Sequence, residues 1–288
     1  MTGEFELVEP DAVDSPGDEW EEIDVEDTEA DRIARRRDRE FNEFRKRIKD
    51  TERFKLEESV FDEATYAAIY KLVQDGHIDA FGGPISTGKE ANVYTAKAGE
   101  AEVAVKVYRI NSSDFKDMRG YLDGDPRFEG IGQDKRKVVM AWVRKEFANL
   151  KRAQKAGVRV PNPIAVERNV LVMEYIATDG DRAKRLNEVH IENPETAYEV
   201  VAEYMQRLYD AGLVHGDLSE YNIVFHDGQL VVIDLGQAVT KHHPNAGDFL
   251  ERDCENVADF FARQGMDVTG EQLYEFVSGE DEQNESAE

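Results

Sequence analysis

The residues with the clearest chemical potential lie in Leu213-Val-His-Gly-Asp-Leu-Ser-Glu-Tyr-Asn-Ile-Val-Phe225 and in the run that follows, Leu230-Val-Val-Ile233-Asp234. An Asn carbonyl and an Asp carboxylate, here Asn222 and Asp234, are hard oxygen ligands suited to a Mg²⁺ that arrives carrying nucleotide phosphates. Asp217, five residues before Asn222, is placed as a base or orienting group for an attacking hydroxyl. His215 is read as positioning this loop rather than moving protons. A second pair lies upstream. Lys106 sits in the middle of Val103-Ala-Val-Lys-Val-Tyr108, and Glu146 falls inside the apolar stripe of a long helical pattern. A carboxylate facing a core is costly unless it is paired, and Lys106 is the obvious upstream partner. Such a pair would anchor the phosphates of a nucleotide. Taken singly, Lys106 could be an ordinary solvent-facing strand residue and Glu146 a stripe-edge residue reaching water. The order of all five along the chain is the stronger signal.

The elements that must position these residues follow from periodicity and turn chemistry. His226-Asp-Gly-Gln229 is a turn between two strands, at 223–225 and 230–233. A hairpin places the start of its first strand beside the end of its second, so Asn222 and Asp234 are expected side by side at one open end. On the strand 102–109, Val103, Val105 and Val107 point one way, and Ala104, Lys106 and Tyr108 the other. The spacing of Val139, Trp142, Val143 and Leu150 predicts a helix over 134–156 that stops at Gly157. Another is predicted over 194–211, with Asn193 as N-cap, Pro194 at its first position and Gly212 after its end. Further helices are expected at 57–78, 249–264 and 270–278, the last with Thr269 and Gln272 as a capping box. Strands are expected at 92–96 and within 164–175, a break at Phe81-Gly82-Gly83-Pro84, and a mobile polar loop over 111–133.

Residues 83–90, Gly-Pro-Ile-Ser-Thr-Gly-Lys-Glu, nearly match the phosphate-binding pattern G-x-x-x-x-G-K-[ST]. Glu90 occupies the hydroxyl position, and a strand-like run follows where a helix is needed, so a P-loop is rejected. A Gly- and hydroxyl-rich turn between strands can still cover phosphates with backbone N–H groups. Ser86, Thr87, Gly88 and Lys89 are the candidates.

Composition sets the frame. In 288 residues, 36 Lys and Arg stand against 62 Asp and Glu, a net charge of −26. That balance works against non-specific binding to nucleic acid or anionic lipid and fits a high-salt cytoplasm, where screening is short-ranged. Part of it is tail: residues 1–31 hold fourteen Asp or Glu and no Lys or Arg, and read as a disordered acidic segment. The run at 32–53 is basic. It reads either as a partner- or nucleic-acid-binding helix or, preferably, as a surface helix neutralised by the acidic tail. A second acidic tail starts at Glu280. No apolar run is long enough to span a bilayer, no signal peptide is visible, and the single Cys254 makes no internal disulfide. A cytoplasmic protein without a membrane partner is expected.

With these residues in hand, the sequence resembles the RIO family of atypical serine/threonine protein kinases, type-1 branch. The likeness rests on STGKEANVY (86–94), VKVYR (105–109), RGYLDGDPRF (119–128), HGDLSEYN (215–222), IDLGQAV (233–239) and HPNA…FLERDCENV (243–257), and covers about residues 55–278. With the acidic balance it suggests an archaeal, halophilic source. It implies an α+β, two-lobed kinase-like fold. A helical segment at 32–80 would precede a small β-rich lobe at 81–175 and a helical lobe at 176–279. It implies ATP and Mg²⁺ as cofactors, Lys106 on the phosphates, Glu146 positioning Lys106, Asp217 as the catalytic Asp, and Asn222 and Asp234 on the metal. Asp234 is also implied as the site of a transient aspartyl-phosphate in an ATPase switch. Leu171–Ile176 is the implied hinge, where Glu174 and Ile176 backbone groups meet adenine with Met173 behind them. Autophosphorylation, with Ser112 or Ser113 as acceptors, and a role with the pre-ribosomal small subunit and its RNA are implied as well. Two features depart from ordinary protein kinases. Asp234 is followed by Leu235-Gly236, and no long activation segment or A-P-E motif appears, which favours the ATPase reading. A small-molecule phosphotransferase of the aminoglycoside-kinase type and a non-catalytic, nucleotide-sensing scaffold are the alternatives.

Overall fold

The computed structural model describes residues 61–110, 115–128, 131–132, 134–178 and 180–279. The acidic segment 1–31, the basic run 32–53, Ser112, Ser113 and the tail from Glu280 lie outside the described residues.

Helix α1 (Glu63–Gln74) leads into the strands β1 (Ala80–Thr87), β2 (Ala91–Ala98) and β3 (Ala101–Tyr108). Helices α2 (Phe115–Leu122) and α3 (Lys135–Lys155) come next, then β4 (Pro163–Glu167) and β5 (Val170–Glu174). The five strands form one antiparallel sheet in the order β1-β2-β3-β5-β4. Alternation along β3 sets its two faces. Val103, Val105 and Val107 join Ile69, Leu72, Tyr94 and Val172 in a core beneath α1, whereas Tyr108 joins the core built around α3. Of the helical segment expected at 32–80, only residues from 61 onward are described, and there α1 shares its core with the sheet.

The second lobe begins with three short strands, β6 (Ala177–Thr178), β7 (Asp181–Arg182) and β8 (Lys184–Arg185), followed by α4 (Pro194–Asp210). Strand β9 (Leu213–Val214), the hairpin β10 (Ile223–His226) and β11 (Gln229–Val232), β12 (Val239–Thr240) and helices α5 (Ala246–Arg263) and α6 (Gly270–Ser278) complete it. Trp142 and Leu150 of α3 share one core with Tyr204 of α4, Leu230 of β11 and Leu250 and Phe261 of α5. Helix α3 thus packs against β4 and β5 of the sheet while sharing its core with the helical lobe.

The capping signals acted as expected. Asn193 Oδ1 accepts from Thr196 N, Thr269 and Gln272 form a reciprocal box, and the chain leaves α3 and α4 through Gly157 and Gly212, each at φ 75°. Two expectations fail. The break at 81–84 is part of β1, paired with β2 through register shifts between Phe81 and Pro84 and between Pro84 and Ser86. Gly82 allows this, because a Cβ there would lie 2.1 Å from Thr95 Oγ1. The loop expected at 111–133 contains α2 and a short 3-10 turn at Pro126–Phe128. Met118, Leu122 and Phe128 anchor it in the core, and a buried Asp125–Arg127 pair closes it.

Candidate active site

Lys106 projects from the face of β3 turned toward α3. Its Nζ donates to Glu146 Oε1 at 2.8 Å and to Asp234 Oδ1 at 2.8 Å. One ammonium therefore ties together the sheet, α3 and the segment after β11. Glu146 is only 1% exposed, and its second oxygen accepts from the Tyr108 hydroxyl. Burial opposes the charge on Lys106, but Asp234 and Glu146 overcome it and hold its pKa well above 10.5. Burial raises Glu146 above the usual carboxylate range, against the pull of Lys106. Asp234 moves the other way: partial desolvation would raise it, and Lys106 with the Gly236 N–H lowers it. Its backbone stands at φ 63°, in the left-handed region that non-glycine residues seldom occupy.

The hairpin brings Asn222 and Asp234 to one end as expected. Ile223 pairs with Val232, and the Ile233 N–H donates to Asn222 O at 2.9 Å. Asn222 donates through Nδ2 to Asp217 O at 2.8 Å and to Asp217 Oδ2 at 3.2 Å, which fixes Asp217 beside it. Burial raises the Asp217 pKa, and the Asp234 charge adds to the rise. A raised pKa makes a carboxylate a better proton acceptor. His215 is buried and acts as a strut. The Asp217 N–H donates to Nδ1 at 3.3 Å, so Nε2 carries the proton and donates to Ile233 O at 3.2 Å.

The site can take Mg²⁺ in the way its residues suggest. The Asp234 side chain is 52% exposed and only its Oδ1 is engaged by Lys106, while Asn222 spends its N–H donors on Asp217 and keeps its carbonyl oxygen for an outside ligand. No group of three or more His, Cys, Asp or Glu among the described residues could hold a metal without help. Two oxygen ligands plus substrate phosphates is the usual manner of Mg²⁺.

The remaining expected residues are less closely gathered. Ser86 and Thr87 end β1, Gly88 and Lys89 form the turn into β2, and the Gly88 N–H donates to Ala91 O at 3.0 Å. All four are exposed, and none of the described hydrogen bonds joins them to the Lys106 cluster. At the hinge, the Glu174 N–H donates to Asn162 O and the Ile176 carbonyl accepts from Ala183 N. Neither bond uses the Glu174 carbonyl or the Ile176 N–H. Arg159 grips the Glu174 carboxylate through two bonds of 2.8 and 2.6 Å, so that side chain is structural. Met173 sits beside Glu174 in β5, opposite Ala104.

The residues above were chosen for their own chemistry; the ones that hold the loops were missed. Asp253 of α5 is 1% exposed and accepts from Gly216 N and Leu218 N, each at 2.7 Å, on either side of Asp217. Burial lifts its pKa to about 6. Arg252 donates to Gly216 O and Asn256 to Leu218 O, so three side chains of α5 grip the loop. Asp253 lies between Leu250 and Val257 on the buried face of α5. The rule that singled out Glu146, a charge within an apolar stripe, would have found it.

Residues 92–273 match the protein family described as the RIO domain. The chain belongs to the RIO family. A RIO-type serine/threonine-protein kinase Rio1 of Haloferax volcanii is 72% identical over 98% of this chain and 97% of its own. The Rio1 of Methanocaldococcus jannaschii is 39% identical over 83% of this chain and 84% of its own. Human RIO1 is 41% identical over 81% of this chain but only 42% of its own length. The fold agrees with a crystal structure of a Chaetomium thermophilum Rio2 kinase–ADP/Mg²⁺–phosphoaspartate complex. The TM-score is 0.55 at 22% identity, covering 73% of this chain and 65% of that one. This chain is a RIO1-type protein kinase, which sets aside the small-molecule phosphotransferase alternative. The run after Asp234 is short: α5 begins at Ala246, with only Leu235 to Asn245 between. No helix of the described residues is long and apolar enough to cross a membrane.

Proposed function

We propose that this kinase binds ATP with Mg²⁺ between its lobes and transfers the γ-phosphoryl group both to Asp234 and to Ser or Thr hydroxyls of its own chain. We further propose that it acts in the cytoplasm in maturation of the small ribosomal subunit and its RNA. The single observation that carries the chemical reading is the double grip on Lys106, 2.8 Å from both Glu146 and Asp234, with Asp217 and Asn222 at the same open end. Lys106 is the cation for the phosphates. Asn222 and Asp234 would hold Mg²⁺, which would supply positive charge against the charge developing on the phosphates. In hydroxyl transfer, Asp217 takes the proton as the hydroxyl oxygen bonds to the γ-phosphorus and the bond to ADP breaks. In the ATPase cycle, an Asp234 carboxylate oxygen makes that bond instead, and water later cleaves the acyl phosphate to carboxylate and phosphate. The Rio2 complex with phosphoaspartate supports this second route. The short segment before α5 supports it too, since it leaves little platform for a separate peptide. Exposed Ser86, Thr87, Gly88 and Lys89 would close over the phosphates, and the Glu174 carbonyl and Ile176 N–H would meet adenine.

The test is single-turnover incubation with γ-labelled ATP and Mg²⁺, comparing wild type with Asp217→Ala and Asp234→Ala. Hydroxylamine-labile label on the protein that vanishes in Asp234→Ala is expected. Normal turnover in Asp234→Ala would overturn the reading. Label that is entirely hydroxylamine-stable would reject the aspartyl-phosphate and leave the hydroxyl kinase.

A further inference from the structure

The backbone immediately after Asp234 is held by side chains with no assigned part in the chemistry. Lys145 Nζ donates to Gly236 O at 2.9 Å. Asn149 Nδ2 donates to Leu235 O at 3.1 Å and to Ala238 O at 2.9 Å. Both donors come from α3, one turn apart, on the helix that also presents Glu146, and both are 0% exposed.

Lys145 is the more telling of the two. Among the described residues it forms no ion pair, and its ammonium rests 4.7 Å from the Trp142 ring centroid and 5.7 Å from that of Tyr121. Burial, with Arg127 adding to it, lowers its pKa to about 7 against the pull of the Asp125 and Glu146 charges. An ammonium without a bonded carboxylate is an expensive way to fill a core position that Leu or Met would fill better. What a Leu could not do is donate to Gly236 O. Asn149 is fixed in the orientation it needs. Arg127 Nη1 donates to its Oδ1 at 2.9 Å, which turns Nδ2 toward the two carbonyls. Arg127 is in turn forked onto Asp125, with bonds of 3.0, 3.2 and 2.7 Å. On the outer side, Tyr121 donates to Gln237 Oε1 at 2.8 Å. The run Leu235–Ala238 is thus pinned from both α3 and the α2 segment.

We propose that Lys145 and Asn149 are positioning residues for Asp234. By holding the Leu235, Gly236 and Ala238 carbonyls they keep Asp234 at its left-handed φ and its carboxylate over the metal position before any nucleotide binds. The Asp125–Arg127 pair locks Asn149 in its donating orientation. The inference deepens the metal-site reading and rests on Asp234 being a Mg²⁺ ligand. It also gives the 115–128 segment a task, as a buttress of the metal loop.

Two variants test it. Lys145→Met removes the donor with little change of volume and leaves no buried charge, so it is expected to fold. Asn149→Asp keeps the shape but sets an acceptor against two carbonyls. The first readout is amide hydrogen exchange of 234–239 in the unliganded protein. The second is calorimetric ADP binding with and without Mg²⁺. At pH 6, below the Lys145 pKa of about 7, a hydrogen bond from the charged donor contributes about 1.5–3 kcal/mol. Exchange in 234–239 should therefore rise at least about tenfold in Lys145→Met, and the enhancement of ADP binding by Mg²⁺ should fall about tenfold. ADP binding without Mg²⁺ should stay within about twofold of wild type. Unchanged exchange and an unchanged Mg²⁺ enhancement in Lys145→Met would overturn the proposal, as would an equal loss of ADP binding with and without Mg²⁺. If Asn149→Asp fails to fold, Lys145→Met decides alone. An Asp234→Ala variant that keeps the wild-type Mg²⁺ enhancement would refute the metal reading itself, while the exchange result would still judge the clamp.

Discussion

Replacing Asp253 by Asn perturbs the loop around Asp217 without altering any group proposed to meet substrate. The buried carboxylate accepts from Gly216 N and Leu218 N at 2.7 Å. An amide offers one carbonyl oxygen and one NH₂, so one of those N–H groups loses its acceptor and faces a donor instead. A bond to a charged acceptor is worth about 1.5–3 kcal/mol. The cost of burying the charge offsets much of this, so at pH 7.5 wild type and variant should lie within about 1–2 kcal/mol of each other, while kcat should fall about 10- to 100-fold as the ordering of Asp217 is lost. The pH dependence separates this from a general packing defect. The folded pKa of about 6 lies above the ordinary 3.8. The folded state then binds the proton more tightly than the unfolded one, so stability rises as pH falls through 6 and is lost as pH rises again. With these two values, wild type gains about 2 kcal/mol between pH 7.5 and 4.5 from this group alone, and Asp253→Asn gains none of it. The stability of wild type relative to the variant should rise by that amount on acidification, read from urea unfolding curves at fixed salt. Activity runs the other way. Protonation removes one acceptor from the loop, so kcat of wild type should drop below about pH 6. A relative stability that stays constant or falls from pH 7.5 to 4.5 would refute the argument that Asp253 carries a buried charge.

Two further predictions follow from the same cluster. Lys106→Met leaves Glu146 buried with only the Tyr108 hydroxyl as partner; it should destabilise the protein by about 3–5 kcal/mol by urea unfolding and abolish phosphoryl transfer, and a variant of wild-type stability would contradict the buried-pair account. Gly236→Ala would put a Cβ 3.2 Å from Trp142 Nε1, 3.3 Å from Tyr108 Oη and 3.4 Å from Asp234 Oδ1, so it should cost about 1–3 kcal/mol and weaken Mg²⁺-dependent ADP binding more than ADP binding alone, both measured by calorimetry.

Particular residues show how much of the site was legible. Glu146 could be picked out because a carboxylate inside the stripe of Val139, Trp142, Val143 and Leu150 requires a partner, and Lys106 was the cation on the correct face of β3. Asn222 and Asp234 could be placed together because a two-strand hairpin fixes its register through its turn, and the pairing of Ile223 with Val232 delivers it. The bulged β1 was not legible as a strand, because Gly82-Gly83-Pro84 carries loop chemistry locally. Only the neighbouring Thr95 makes a glycine at 82 a requirement of sheet packing. The segment 115–128 looked unstructured for a similar reason. Its order comes from Met118, Leu122 and Phe128 entering a core made mostly by other parts of the chain, and from Arg127 reaching Asn149 twenty-two residues on.

The amino-acid sequence alone determined the caps, the alternation of β3, the stripe of α3 and the hairpin. These are local: each depends on dihedral preferences and side-chain periods within one or two turns of chain. It therefore determined which residues could do chemistry. Only the tertiary structure decided how they are held. The grip of Asp253 on the loop around Asp217, and of Lys145 and Asn149 on the carbonyls after Asp234, joins backbone groups to side chains 35 to 91 residues away. Backbone carbonyls and N–H groups are the same at every position, so no residue type marks which of them a distant helix will hold.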